Sequence, residues 1–202
     1  MLAELTLSEQ ALAAAVQGAT AALAPKFSET APDGAMLREQ ALADDTGALT
    51  AAGAEWFQPL REPTYVFRIE RSAMGVEAAE SFYVHLPSLR ALHVMSEGED
   101  AYLVAQLDVA DVIYAGLLEA AGIWPDTHAE LADDAIPPDP EDSVTTTLVV
   151  LHSEDGTGFT EQELSWVDDE GVWLVGEDGK LSAASDYALY QRIPPLLHVL
   201  DR

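Results

Sequence analysis

Four short segments in the first half of the chain alternate apolar and polar side chains with a period of two, which is typical of β-strands. These segments are TYVFRIER (64–71), ESFYVHL (80–86), RALHVMS (90–96) and AYLVAQL (101–107). The turns LPS and EGED connect the last three segments, and turns this short join antiparallel strands but not parallel ones. The sequence therefore predicts a four-stranded antiparallel meander, which restricts the chain to folds built on a sheet with local connections.

Helices are predicted before and after this meander. They span about residues 8–24, 36–44, 50–60 and 108–122. Thr6 and Glu9 form a capping-box pattern at the first, in which the threonine oxygen and the glutamate carboxylate satisfy free amides. The DDTG turn separates the second helix from the third, which Thr50 is placed to cap. Gly122 ends the fourth, because glycine adopts the left-handed conformation that helix C-termini favour.

A second set of strands follows an acidic segment, residues 123–142. This acidic segment contains four prolines and seven carboxylates without a lysine or arginine, a composition typical of a linker or long loop. The strands predicted after it are SVTTTLVVLH (143–152), LSWVDD (164–169), GVWLVGED (171–178) and KLSAA (180–184), and a closing helix is predicted over about 185–200. A capping box at Thr160 and Glu163 favours, as an alternative, a short helix over 161–166.

The order of these elements predicts the fold class. Strands followed by a helix occur in residues 1–122 and again in residues 143–202, so we expect an α+β fold in which an antiparallel sheet has flanking helices. The two halves, joined through the acidic segment, are expected to form a structural pseudo-repeat. A length of 202 residues suits one domain with a substantial core.

The net charge of −27 argues against several classes of partner. Between Arg90 and Arg192 the single cation is Lys180, against 23 carboxylates. A potential of this sign repels phosphate backbones and anionic lipids, so neither nucleic acid nor a membrane is an expected partner. The N-terminal residues show no signal-peptide pattern and cysteine is absent, so we expect a cytoplasmic protein without disulfides.

The candidate catalytic and metal-binding residues fail on chemical grounds. His85 and His93 flank a hairpin turn, but no third ligand accompanies them, so hydrogen-bonded strand histidines are the preferred interpretation. The run SEDGTGFTEQEL (153–164) resembles a calcium loop, except that Ser153 and Leu164 occupy the places of an aspartate and a glutamate ligand. We therefore predict no catalytic, cofactor-binding or metal-binding residues, and a protein that is not an enzyme.

Three of the four tryptophans lie near predicted strands or the acidic segment. Trp166 and Trp173 occur in opposite arms of a predicted hairpin, which favours a cross-strand aromatic pair in the core. Trp124 lies at the start of the acidic segment, and it is the tryptophan that we predict to bind a partner.

Three of the nine cations, Arg61, Arg68 and Arg71, lie close together where a helix gives way to a strand. In one interpretation these arginines neutralise nearby carboxylates, such as that of Glu70, in a strongly acidic chain. In the other, Arg68 and Val66 point outward from the strand and form a cationic and apolar patch that binds a partner.

The stretch ALADDTGALTAAGAEWFQPLREPTYVFRIER (41–71), followed by strands and an alanine-rich helix, resembles the first half of the EspG family of actinobacterial type VII secretion chaperones. The hairpin VDDEGVWLVGEDGKLSAAS (167–185), which runs into the closing helix, resembles the second half. The resemblance implies a cytosolic, non-enzymatic α+β protein that binds the apolar tip of a helical secretion substrate and keeps it soluble. It rests on pattern and spacing, and no functional residue of the family matches a motif here.

Two other classes of function stay open at this point. One is an acidic protein that imitates DNA or regulates by interaction, for which the net charge is the argument. The other is a small-molecule enzyme that works from a pocket between the sheet and its helices. We prefer a specific chaperone whose partner is a protein client, and the sequence does not specify its oligomeric state.

Overall fold

The computed structural model describes residues 4–12, 32–73, 76–96, 101–108, 112–124, 135–139, 143–153, 159–168, 171–176 and 178–193. The strands are β1 (Glu4–Ser8), β2 (Tyr65–Ala73), β3 (Val76–His85), β4 (Arg90–Ser96), β5 (Ala101–Asp108), β6 (Val144–His152), β7 (Thr160–Asp168), β8 (Val172–Val175) and β9 (Leu181–Ala184). The helices are α1 (Pro32–Glu39), α2 (Ala51–Trp56), α3 (Gln58–Arg61), α4 (Val112–Ala121) and α5 (Asp186–Tyr190). Among the described residues, no helix is long and apolar enough to cross a membrane.

The strands form a sheet in the order β1-β5-β4-β3-β2-β6-β7-β8-β9. Strands β2 to β5 are consecutive neighbours, so the predicted meander is confirmed. The β4–β5 pair is antiparallel and places Val94 opposite Val104. A 3₁₀ turn at Leu86–Ser88 forms the predicted LPS connection, and the EGED turn lies outside the described residues. The sheet and its helices agree with the predicted α+β class.

Strand β1 corrects the prediction for the N-terminus. Residues 4–8 pair with β5 in antiparallel register, with Leu5 opposite Val104 and Leu7 opposite Tyr102. Both leucines are buried, so their period-two burial outweighs the local capping pattern. Residues 9–12 are helical, and the Ala11 amide donates to Ser8 Oγ at 3.3 Å. Ser8 therefore caps this helix in place of Thr6, and the predicted remainder of the helix to residue 24 lies outside the described residues.

The two helices predicted over 36–44 and 50–60 begin and end differently in the structure, and the second is wrong as a single helix because Phe57 divides it into α2 and α3. Helix α1 lies four residues earlier than the predicted segment, and a bridge between Ala43 and Leu49 closes the turn that follows it. Thr50 caps α2 as predicted, because its Oγ1 accepts a hydrogen bond from the Gly53 amide at 3.1 Å. Asp44 holds the DDTG turn by accepting from the Thr46 amide at 2.8 Å and its hydroxyl at 2.6 Å.

The second set of strands is confirmed as β6 to β9, with one extension. β7 begins at Thr160, so the alternative of a short helix over 161–166 is wrong. The closing helix begins after Ser185, whose Oγ accepts from the Ala188 amide at 3.2 Å, and residues 194–200 lie outside the described residues. The predicted division into pseudo-repeated halves stays a prediction.

Trp166 and Trp173 are both buried, as expected of core residues, but they do not form the predicted pair. The β7–β8 register places Trp166 opposite Leu174 and Val167 opposite Trp173. Because successive side chains alternate between faces, the two indoles lie on opposite faces of the hairpin. The β7–β8 hairpin is therefore buried on both faces at the positions of Trp166 and Trp173.

The chain divides into two compact units that alternate along the sequence. Unit 1 comprises Met1–Val66, Ser81–Ile113 and His152–Phe159, and unit 2 comprises Phe67–Glu80, Tyr114–Leu151 and Thr160–Arg202. The core of unit 1 surrounds Leu7, Phe57 and Leu92, each fully buried. Unit 2 has its own buried residues, including Leu117 and Trp166.

Candidate partner-binding site

The arginines of β2 lie beside carboxylates. Arg68 Nε lies 2.7 Å from Glu70 Oε1, and 45% of the Arg68 side chain is exposed. Arg71 Nη1 lies 3.4 Å from Glu80 Oε1. These contacts support the interpretation in which the arginines neutralise local carboxylates, although exposed pairs of this kind each contribute only ~0 to 1 kcal/mol to stability. Arg68 keeps enough exposed surface for its predicted role in binding to stay open.

Val66 does not join Arg68 in an exposed patch. The Val66 side chain is only 7% exposed, so the prediction that it points into solvent is wrong. The neighbouring residues Tyr65 and Phe67 are buried as well, which means that both faces of β2 are covered at its first residues. At the start of β2, the period-two pattern does not separate buried from exposed side chains, because a strand that is covered on both faces has apolar side chains on both faces.

Among the three residues that the sequence predicts to bind a partner, Trp124 is largely exposed to solvent. Its side chain is 61% exposed, whereas that of the preceding Ile123 is 1% exposed. Helix α4 ends at Gly122, whose φ of +70° is accessible to glycine without strain. The Gly122 amide donates to the Glu119 carbonyl at 3.0 Å, and the Ile123 amide donates to the Leu118 carbonyl at 2.9 Å. These two bonds form a Schellman motif.

The motif fixes the direction in which Trp124 leaves the helix. Ile123 and Leu118 are both buried, and a contact between these two positions commonly accompanies the motif. With Ile123 held in the core of unit 2, the next side chain is directed to solvent on an ordered backbone. Presentation on an ordered backbone reduces the conformational entropy that a residue loses on binding. Trp124 is therefore an exposed aromatic residue beside an ordered helix end.

Ile136 is a second exposed apolar residue of the acidic segment, and sequence reasoning missed it. Its side chain is 87% exposed, and Pro137 and Pro138 follow it. The Ser143 hydroxyl donates to the Asp139 carbonyl at 2.9 Å, which ties this stretch to the start of β6. The sequence signal for this residue was an isolated isoleucine before two prolines in an otherwise acidic run. Proline restricts the backbone of the residue that precedes it, so an extended conformation is favoured at Ile136.

The two histidines have separate partners. His85 Nδ1 lies 2.7 Å from Ser88 Oγ, and the His93 ring stacks on Phe82 with 4.1 Å between the ring centroids. Burial lowers the pKa of His85, while the nearby charge of Glu62 acts in the opposite direction. These contacts are those of strand histidines packed against their neighbours.

No group of three or more metal-ligating side chains occurs in the part of the chain that the structure describes. In the run that resembles a calcium loop, residues 154–158 lie outside that part, and the last five residues, 160–164, belong to β7.

A groove of about 260 Å³ lies in unit 2. Its lining residues are Glu70, Arg71, Ser72, Ala78, Ala79, Thr145 and Thr147. Glu70 pairs with Arg68 and Arg71 pairs with Glu80, so both charged residues of the lining are already engaged. The groove therefore presents mainly hydroxyl and methyl groups, which suit contact with a side chain better than acid–base chemistry.

Asp168, at the end of β7, is the carboxyl group whose pKa is raised. Burial raises the pKa of Asp168, the nearby Asp186 raises it further, and Arg71 acts in the opposite direction. Perturbed carboxyl groups are common at active sites, but structural charge clusters perturb them too. Asp168 is exposed at the surface, so we attribute the raised pKa to partial burial and to the like charge of Asp186, as in a structural charge cluster.

No known protein family matches the chain, and no curated protein shows significant similarity to it.

Proposed function

We propose that the chain is a cytosolic, non-enzymatic protein-binding protein, a specific chaperone resembling EspG that keeps a helical type VII secretion substrate soluble. The observation that carries the proposal is Trp124, an exposed indole presented by an ordered helix end. Tryptophan is enriched among the residues that dominate protein–protein binding. An exposed indole that adds nothing to the core favours a role in binding.

The order of the elements also supports the proposal. The stretch that resembles the family's first half forms α2 and α3 and then enters β2. The hairpin that resembles the second half forms β8 and β9 and then enters α5. Each step follows the arrangement that the resemblance implies, from short helices to a sheet and from a hairpin to a closing helix.

The charge of the chain fits a role in solubility. A client with an apolar helical tip aggregates through that tip, and binding to a protein of net charge −27 would add repulsion between complexes. In this proposal, apolar contact at Trp124 and Ile136 provides affinity, and the surrounding carboxylates keep the complex soluble.

Co-expression with the helical type VII substrates encoded by the source organism tests the proposal. We expect one substrate, insoluble or self-associated alone, to elute with the chain as a one-to-one complex in size-exclusion chromatography with light scattering. Trp124→Ala should lower the yield of complex, whereas Leu89→Ala, which removes an exposed apolar side chain in unit 1, should not. Failure of every substrate to form a complex would overturn the proposal.

A further inference from the structure

Strand β7 extends beyond the strand that pairs with its outer edge. β7 has nine residues and β8 has four, and their register pairs only Trp166–Asp168 with Val172–Leu174. Continuing this register places Val175, the last residue of β8, beside Ser165. Thr160–Leu164 therefore extends past the end of β8, and we call this segment the β7 overhang. At roughly 3.3 Å per residue, the five residues of the overhang extend over roughly 16 Å of strand.

The turn that ends β8 determines the length of the overhang. The Gly176 amide donates to the Lys180 carbonyl at 2.9 Å, and the Gly179 amide donates to the Gly176 carbonyl at 2.8 Å. Gly179 has a φ of +75°, which completes the reversal into β9. Because the chain turns back at Gly176, β8 does not continue alongside the overhang. In the strand order, β6 is the neighbour of β7 on its other edge.

The overhang is polar, acidic and exposed. Thr160, Glu161, Gln162 and Glu163 are all exposed, and Leu164 is half-buried. Glu161 and Glu163 lie on the same face, since side chains alternate along a strand. The Ser165 hydroxyl donates to Glu163 Oε1 at 3.0 Å and so holds one oxygen of this exposed carboxylate. Alternate residues of the overhang direct their amide and carbonyl groups away from β6.

We propose that the β7 overhang binds an extended, lysine- or arginine-rich segment of a partner protein, which adds to the sheet as a strand beside β7. Main-chain hydrogen bonds at a strand edge supply affinity in this mode, and alternate side chains supply specificity. Cationic side chains on the face of Glu161 and Glu163 match the charge of the overhang and of the whole chain, which is −27. This surface does not include Trp124, and the proposal goes beyond the chaperone role.

A second copy of the chain is a poor occupant of the same edge. Antiparallel pairing about a two-fold axis at Gln162 would place Glu161 of one copy opposite Glu163 of the other. Like charges that lie directly opposite on paired strands destabilise the pair. Charged residues on an edge strand also prevent aggregation, and this protective role is the alternative that the experiment must separate from binding.

The test uses a fluorescein-labelled heptapeptide that alternates threonine and lysine, titrated with the whole chain at low ionic strength. Fluorescence anisotropy should report binding, which the same peptide with glutamate in place of lysine should not show. N-methylation at alternate residues, which removes amide donors from one edge of the peptide, should weaken binding about tenfold or more. The double variant Glu161→Gln with Glu163→Gln should weaken it by a similar factor.

A matched variant, Glu39→Gln with Glu119→Gln, removes the same charge from exposed sites on α1 and α4 and should change affinity less than about twofold. Backbone amide shifts in NMR spectra should change at residues 160–164 on adding the lysine peptide. The proposal is overturned if the lysine peptide does not bind, if N-methylation has no effect, or if the matched variant weakens binding as much as the overhang variant.

Discussion

A pair of large apolar residues lies at or just after the end of two helices, and the two pairs differ in burial. Helix α2 ends at Trp56 with Phe57 next, and both side chains are buried in unit 1, where their ring centroids lie 4.6 Å apart. Helix α4 ends before Ile123 and Trp124 in unit 2, where the isoleucine is buried and the indole is exposed. In sequence the pairs look alike. The comparison shows that Trp124, unlike Trp56, Phe57 and Ile123, contributes little to the core.

The largest effect should come from truncating the aromatic residues of the two pairs. Phe57→Ala removes a fully buried ring, and we expect it to lower the free energy of unfolding by about 3 to 5 kcal/mol. Trp124→Ala removes an exposed ring, and we expect a change within about 0.5 kcal/mol. Urea denaturation monitored by circular dichroism measures both. A loss at Trp124 that approached the loss at Phe57 would mean that the indole packs against the protein.

A smaller effect is expected at the glycine that ends α4. Gly122→Ala places a side chain at a φ of +70°, where an added Cβ meets no atom within 4 Å, so the cost is backbone strain alone. We expect a loss of about 1 to 2 kcal/mol in the free energy of unfolding. Gly122→Asn should cost less, because asparagine tolerates the left-handed region. Equal losses in the two variants would argue against this explanation.

Arg68 allows the comparison to be extended from stability to binding. Arg68→Glu breaks the ion pair with Glu70 and should weaken capture of the client by about 1 kcal/mol or more, if Arg68 contacts it. Lys180→Glu is the matched control, because Lys180 is an exposed cation paired with Asp178. Isothermal titration with the purified client measures both variants. Equal capture by the two would limit Arg68 to neutralising Glu70.

The smallest effect concerns Asp168 and pH. Its folded-state pKa is raised above the ordinary value of 3.8, so the stability it contributes is present below pH 3.8 and is lost as pH rises through the folded pKa. Asp168→Asn should therefore raise the melting temperature at pH 7 and leave it unchanged near pH 3, with a gain under about 1 kcal/mol at neutral pH. A variant that melts lower than the wild type at pH 7 would show that attraction to Arg71 dominates.

The sequence predicted the parts of the fold that depend on local patterns. The meander, the Thr50 cap and the end of α4 at Gly122 follow from periodicity and from single-residue conformational preference. Strand β1 was missed because a capping pattern and strand alternation overlap there, and only pairing with β5 decides between them.

The candidate site was less accessible to sequence reasoning, because burial is a property of the folded chain. Val66 and Trp124 were both predicted to meet a partner, yet Val66 is buried and Trp124 is exposed. Neither the strand pattern of Val66 nor the composition around Trp124 specifies which neighbours cover each side chain. The β7 overhang depends in the same way on where β8 ends, which the turn at Gly176 sets.

The central claim is that Trp124 is held in solvent in order to bind a protein client. The most direct test is the dissociation constant of the client complex for the wild type, Trp124→Ala and Tyr187→Ala, since Tyr187 is a partly exposed aromatic residue of the same unit. We expect Trp124→Ala to weaken binding by about 2 kcal/mol, roughly thirtyfold, and Tyr187→Ala to change it less than about twofold. Unchanged affinity in Trp124→Ala would contradict the claim.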